Sequence, residues 1–265
     1  MSIRILAIVC LALRLSADAA ERDYLDTAPA FLIPAGSIGC LALGSRVSDI
    51  DSSRAPLIRG PLPGEASIQR WLAGTTGPGR NNFLDDTLGS VLTPGICGVL
   101  LAGANAAWPR DQAARDIGQD LLLYLSGLAA TKGVTELTKG VFARPRPLLS
   151  LYPELAATRA HSDWSYDHNS FFSGHASSSF FATTYLNLRL RDIMRHELHA
   201  DEYRDWRWLP PTILYSWASF VCWSRLHAYK HYLSDVLVGA TAGWLLAELF
   251  YHFAPESKTA GDNST

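Results

Sequence analysis

Five long apolar stretches follow residue 86, whereas turn-forming residues dominate before it. Thr87 to Pro109 carries no charge. Gln119 to Phe142 is apolar after Asp120, then places Lys132 and Glu136 at i,i+4 spacing, the separation of neighbours on one helix face. Ser173 to Leu188 is small and aromatic. Trp208 to Ser224 is again uncharged, with Pro210 and Pro211 suited to a helix start, and His231 to Phe253 has only Asp235 and Glu248 as acids. Lengths of sixteen to twenty-four residues without period-two alternation predict helices. The pattern predicts an all-α protein, a bundle of about five core helices.

Residues 20–86 read differently. Pro29, Pro34, Pro56, Pro61, Pro63 and Pro78 punctuate the stretch, and Gly60, Gly64, Gly74, Gly77 and Gly79 add further breaks. Proline lacks an amide donor and glycine costs backbone entropy, so no long helix is expected between Ser45 and Arg80. The stretch is expected to be an irregular arm lying over a helical domain of residues 87–254, with 255–265 as a tail. Before it, Arg4, the apolar run Ile5 to Leu13 and Ala17-Asp18-Ala19 match the three regions of a signal peptide cleaved after Ala19. Nine apolar residues are too few to cross a hydrocarbon core of about 30 Å. An extracytoplasmic location follows as an expectation.

Composition narrows the function. Hydrophobic residues make up 48% and charged ones 18%, which excludes a disordered chain. The net charge of −2 gives no basic surface for nucleic acid. Without the leader, Cys40, Cys97 and Cys222 are an odd, widely spaced set rather than a disulfide framework, and Cys97 and Cys222 fall in apolar runs suited to burial.

The candidate chemistry lies in three clusters at helix ends. Lys139 falls in the last turn of the second helix, and Arg146 follows on the segment that Pro145 and Pro147 keep extended. Ser173, Gly174 and His175 open the third helix, where exposed amides favour an anion. Arg225 ends the fourth helix. His231 and Asp235 begin the fifth at i,i+4 spacing, so the carboxylate is expected to accept one ring N–H and leave the other nitrogen nucleophilic. An up-down bundle brings all four junctions to one end, where cations, amides and two histidines suit a phosphate.

These residues resemble the signature of the type 2 phosphatidic acid phosphatases, which share their site with bacterial acid phosphatases and vanadium haloperoxidases. The family pattern is lysine, six residues, Arg-Pro; then Pro-Ser-Gly-His; then Ser-Arg, five residues, His, three residues, Asp. It is matched at Lys139, Arg146 and Pro147, at Ser173, Gly174 and His175, and at Ser224, Arg225, His231 and Asp235. Phe172 stands where the family usually has proline. The resemblance covers about residues 86–254.

The resemblance implies a phosphomonoesterase acting on a lipid phosphate or a similar phosphate or pyrophosphate ester. His231 would attack phosphorus and become a phosphohistidine, with Asp235 orienting its ring. His175 would protonate the leaving alcohol and then activate water. Lys139, Arg146, Ser173, Gly174 and Arg225 would stabilise the equatorial oxygens, and no metal or other cofactor is implied. The same residues in a haloperoxidase would hold vanadate, and a phosphotransferase would replace water by another hydroxyl.

Other polar residues read more plainly. His227 matches no motif position and is expected at the rim or in packing. His161 and His168, beside Asp163 and Asp167, read as a polar loop or as lining of the substrate entrance. His196-Glu197-Leu198-His199 lacks the spacing of a helical zinc site and reads as a solvated face. Thr87 to Pro109 and Trp208 to Ser224 approach spanning length. Arg189, Arg191, Arg195, Arg204 and Arg207 would then lie on the cytoplasmic side, although that segment has as many acids as arginines. Membrane association is favoured over a soluble bundle, with the serines of the third helix and the Lys132–Glu136 pair counting against it.

Overall fold

A computed structural model describes residues 29–48, 55–73, 87–107, 113–157 and 164–253; the leader, His161, Asp163 and the tail lie outside them. The described residues are helical, with no strand among them. The helices are α1 (Pro29–Val47), α2 (Glu65–Ala73), α3 (Thr93–Ala107, entered through a π-helical turn at Leu88–Leu92) and α4 (Ala113–Phe142). Three short pieces follow: α5 (Pro147–Leu151), α6 (Pro153–Ala156) and α7 (Trp164–Asp167). The remainder are α8 (Gly174–Glu197), α9 (Ala200–Trp206), α10 (Leu209–His227) and α11 (Leu233–Tyr251). All five expected core helices are present as α3, α4, α8, α10 and α11.

The central helix is α8, which packs against α3, α4, α10 and α11. Its serines and threonines explain how one helix meets four neighbours. Ala176, Ser177, Ser179, Ala182, Thr183 and Thr184 are small and fully buried, so neighbouring backbones approach closely. Three of the four hydroxyls find partners inside: Ser179 donates to the Gly89 carbonyl at 3.3 Å, Thr183 donates to the Ser179 carbonyl at 2.8 Å, and Ser177 pairs with Thr135 of α4 at 3.0 Å. The serine content therefore marks the bundle's centre and does not weigh against membrane insertion.

On α11, Gly239 and Gly243 face the start of α8. A Cβ on Gly239 would stand 2.6 Å from the Ser173 carbonyl oxygen, and one on Gly243 would overlap the Ser177 backbone. Only glycine permits that approach, and it places the second and third motifs side by side. The core beyond them is aromatic, with Tyr124, Phe181, Tyr185 and Phe250 in mutual ring contact.

Two expectations change. The arm is less irregular than its prolines suggest, because α1 runs for nineteen residues with Pro34 inside it. Pro34 removes one helical hydrogen bond, but α1 lies tightly along α4, with Gly44 against Gly133 and Val47 against Gly140, and packing outweighs the loss. Between Ser45 and Arg80 the described residues hold only the nine-residue α2 beyond the end of α1. The third core helix also continues to Glu197 rather than ending near Leu188, because Arg189 and Ile193 turn inward. Arg189 is wholly buried and meets Asp120 at 2.7 Å, so it is not a loop charge.

Among the described residues, two helical stretches are long and apolar enough to cross a membrane, Leu88–Ala107 and Leu233–Tyr251. The second differs from the expected Trp208 to Ser224, whose prolines, serines and aromatics lower its hydropathy. Large apolar side chains are nonetheless exposed on α3, α10 and α11, among them Val99, Ile213, Phe220, Trp223, Leu237 and Trp244.

Candidate active site

The segments around the three motifs are sewn together by backbone hydrogen bonds. Ser170 N–H donates to the Arg144 carbonyl at 3.0 Å, Arg146 N–H to the Asp167 carbonyl at 2.8 Å, and Ser173 N–H to the Asp235 carbonyl at 3.0 Å. The loops after α4, before α8 and before α11 are thereby held at one end of the bundle.

Lys139 lies in the last turn of α4, where its Nζ donates to Glu136 at 3.1 Å. Glu136 also meets Lys132 at 2.8 Å. The Lys139 ammonium lies 3.7 Å from where a Cβ on Gly174 would stand, so glycine keeps the start of α8 open to it. Ser173 is the N-cap of α8, its Oγ accepting from Ala176 N–H at 3.4 Å. Arg146 is buried: its Nε donates to the Tyr166 carbonyl at 2.8 Å, its Nη1 to the Lys230 carbonyl at 3.3 Å, and its guanidinium lies 4.1 Å from the Tyr166 ring centre. Arg225, almost wholly buried, ends α10, and its carbonyl accepts from Lys230 N–H at 3.1 Å in the turn leading to His231. His175 packs against Gly89 of the π-helical turn, where a Cβ would come within 2.8 Å of its own.

His231 sits in the turn between α10 and α11 and is 3% exposed. Its Nδ1 lies 2.7 Å from the Ser170 carbonyl oxygen. A carbonyl only accepts, so Nδ1 carries the proton and Nε2 holds the lone pair. Burial lowers the His231 pKa well below the usual 6.5, and the charges of Arg146, Lys139 and His175 lower it further, against the Ser170 hydrogen bond. The ring is neutral at neutral pH. Three of the other groups the sequence expects around phosphate, Lys139, Arg146 and His175, are thus near enough to act on His231.

One expected contact is different. The Asp235 carboxylate is 3.9 Å from Nδ1, beyond hydrogen-bond reach. It accepts instead from the Ser170 hydroxyl at 2.6 Å and from Tyr232 N–H at 2.9 Å, and it pairs with Arg144. Asp235 therefore bears on His231 through Ser170, because the first turn of α11 directs its carboxylate toward the Arg144 guanidinium.

The residues absent from the motif reading are Ser170, Arg144, Glu65, Tyr166 and Lys230. Arg144 leaves a trace in the sequence, as a third cation between Lys139 and Arg146. Ser170 acts through its main chain, which no side-chain pattern discloses. Lys230 Nζ donates to the Tyr166 hydroxyl at 2.7 Å beside Arg146.

Outside this site the structure is plainer. His227 stacks near Trp223, with ring centres 5.1 Å apart. His168 is buried beside the site loop. His196 and His199 are exposed, and His199 caps α9 together with Glu202. Cys97 and Cys222 are buried free thiols, as expected, and Cys40 is half-buried.

The bundle with its motif-bearing loops belongs to a recognisable class. The PAP2 superfamily model matches residues 120–258, more than half of the chain, and the chain belongs to that superfamily. It is 30% identical over 147 residues to phospholipid phosphatase 2 of Homo sapiens, covering 48% of each protein. It is 29% identical over 138 residues to dolichyldiphosphatase 1 of Rhinolophus ferrumequinum, covering 51% of this chain and 53% of that protein. The chain thus spans about half the length of the curated relatives it matches. No solved structure matches it.

Proposed function

We propose that this chain is a membrane-associated phosphatase that hydrolyses a lipid phosphate or lipid diphosphate through a phosphohistidine at His231. The observation that carries the reading is the buried, neutral His231, its Nδ1 tied to the Ser170 carbonyl and its charge balance set by Lys139, Arg146 and His175. The names of the relatives support a lipid-linked phosphate as substrate, one a phospholipid phosphatase and the other a dolichyldiphosphatase. Residues 87–254 form the catalytic unit in this reading.

The chemistry follows from that arrangement. The Nε2 lone pair forms a bond to phosphorus in line with the ester oxygen, whose bond to phosphorus breaks. The departing oxygen takes a proton from His175, which then removes a proton from the attacking water as the nitrogen–phosphorus bond breaks. Lys139, Arg146 and Arg225, with the Ser173 hydroxyl and the Gly174 amide, stabilise the equatorial oxygens. These fixed charges do the work a metal performs in other phosphatases, so turnover needs none.

Membrane association rests on the two apolar helices and on exposed aromatics along α10, from Trp208 at its start to Trp223 near its end. Orientation toward the outside of the cytoplasm rests on the leader pattern at residues 1–19. The test is phosphate release by the chain in mild detergent, with chelator, from phosphatidic acid and from a soluble phosphomonoester. Chelator-resistant release from the lipid that disappears in His231→Ala supports the reading, and no release from either substrate overturns it.

A further inference from the structure

We infer that Glu65, on the arm helix α2, is a positioning residue for His231, acting through Arg144 and Asp235 on the Ser170 turn that holds the ring. The inference rests on the phosphatase reading for its kinetic consequence and on the structure alone for its geometry.

Glu65 is a buried carboxylate from outside the region matched by the family model. One oxygen accepts from Arg144 Nη2 at 2.6 Å and from Leu62 N–H at 2.6 Å. The other accepts from Ser234 N–H at 2.9 Å, an amide in the first turn of α11 that has no partner within its own helix. Arg144, wholly buried, spends its remaining donors on the Gly60 carbonyl at 3.0 and 3.2 Å, on Ser234 Oγ at 2.8 Å and on Asp235. Asp235 in turn takes the Ser170 hydroxyl, and the Ser170 carbonyl takes His231 Nδ1–H. The path from Glu65 to the nucleophile is thus an unbroken series of charge-assisted and neutral hydrogen bonds, buried throughout.

The other contacts of α2 reinforce this placement. Gln69, one turn beyond Glu65, donates to the Leu226 carbonyl beside Arg225. Glu65 and Gln69 therefore hold the end of α10 and the start of α11, the two helix ends that bracket the His231 turn. Burial opposes ionisation of Glu65, but hydrogen bonds from Ser234 and Leu62 and the Arg144 charge hold its carboxyl below the ordinary value. One cation stands between two carboxylates. Loss of Glu65 frees Arg144 to recentre on Asp235 and removes the external cap from α11.

The test compares Glu65→Gln and Glu65→Asp with the parent chain and with Trp71→Ala, a change at an exposed position of the same helix. Turnover of phosphatidic acid in mild detergent is measured with the melting temperature and the His231 Nδ1 proton resonance. The expected result is kcat down about tenfold or more in Glu65→Gln, with KM within about twofold. Glu65→Asp, which keeps the charge, should fall between, and the proton should shift and exchange faster in Glu65→Gln. Should Glu65→Gln not fold, Glu65→Asp carries the same comparison. Unchanged kcat and an unchanged resonance, with only the melting temperature lowered, would overturn the inference. An inactive parent chain whose resonance still responds to Glu65→Gln would sink the phosphatase reading and sustain the positioning role.

Discussion

His231 Nδ1 donates to the main-chain carbonyl of Ser170 at 2.7 Å, and this bond, rather than one to Asp235, fixes the tautomer of the ring. A carbonyl cannot change its protonation state. The ring keeps its lone pair on Nε2 whatever happens to the carboxylate beside it.

On the proposed mechanism, Asp235→Asn should accordingly impair turnover without abolishing it. The substitution removes the charge that pairs with Arg144 and weakens the grip on the Ser170 hydroxyl, so the ring shifts but keeps its acceptor. We expect kcat to fall by up to about a hundredfold, the scale of a small misplacement of a reacting group. His231→Ala should lose all measurable turnover. Equal losses in the two variants would contradict the indirect role of Asp235.

Acid should destabilise the fold through His231. The unfolded chain binds a proton near the ordinary imidazole value of about 6.5, whereas the folded ring, with its lowered pKa, does not. The stabilisation is therefore complete above that pH and is lost as pH falls toward the folded value. Melting temperature should drop between about pH 7.5 and about pH 5.5 in the parent chain, and the drop should be smaller in His231→Gln. Identical pH dependence in both would refute the buried neutral histidine.

Gly239→Ala should injure both stability and turnover. The added methyl would stand 2.6 Å from the Ser173 carbonyl and push α11 off the start of α8. Overpacking of this kind costs about 1–3 kcal/mol, and here it also displaces Ser173 and Gly174. Gly95→Ala is the control, since a Cβ there meets nothing within 4 Å. Thermal melting and kcat of the two variants decide the matter.

The exposed aromatics of α10 should report on lipid. Trp217 and Trp223 are 39% and 43% exposed on a face bearing Ile213 and Phe220. In vesicles, quenchers carried on acyl chains should reduce the fluorescence of these tryptophans more than an aqueous quencher does. Replacing both by tyrosine should remove most of that difference. Preferential aqueous quenching would count against insertion of this face.

The sequence discloses this fold and site unevenly. Helices α3, α4, α8, α10 and α11 are visible as apolar runs, α8 because it is buried at the centre of the bundle and α3, α10 and α11 because they are apolar on their exposed faces as well as toward the core. The extent of α8 is obscured because Arg189 looks like a solvent charge until Asp120, sixty-nine positions earlier, is seen to neutralise it. Helix α1 is hidden by Pro34 and stabilised by contacts with α4 that no local pattern encodes. Lys139, Arg146, Ser173, Gly174, His175, Arg225, His231 and Asp235 stand out together in the sequence because they match one spaced family signature, and the segments that carry the three motifs are joined by backbone hydrogen bonds. Ser170 contributes a main-chain oxygen, and Glu65 reaches Arg144 across seventy-nine positions. Such relationships exist only in three dimensions.

The most direct test of the account is to quench turnover of phosphatidic acid labelled in its phosphate and look for label on the protein. The account predicts an acid-labile, base-stable phosphoramidate on the peptide containing His231, formed in the parent chain and absent from His231→Ala. Active enzyme that never carries label on His231, or that carries it equally in His231→Ala, would contradict a phosphohistidine mechanism.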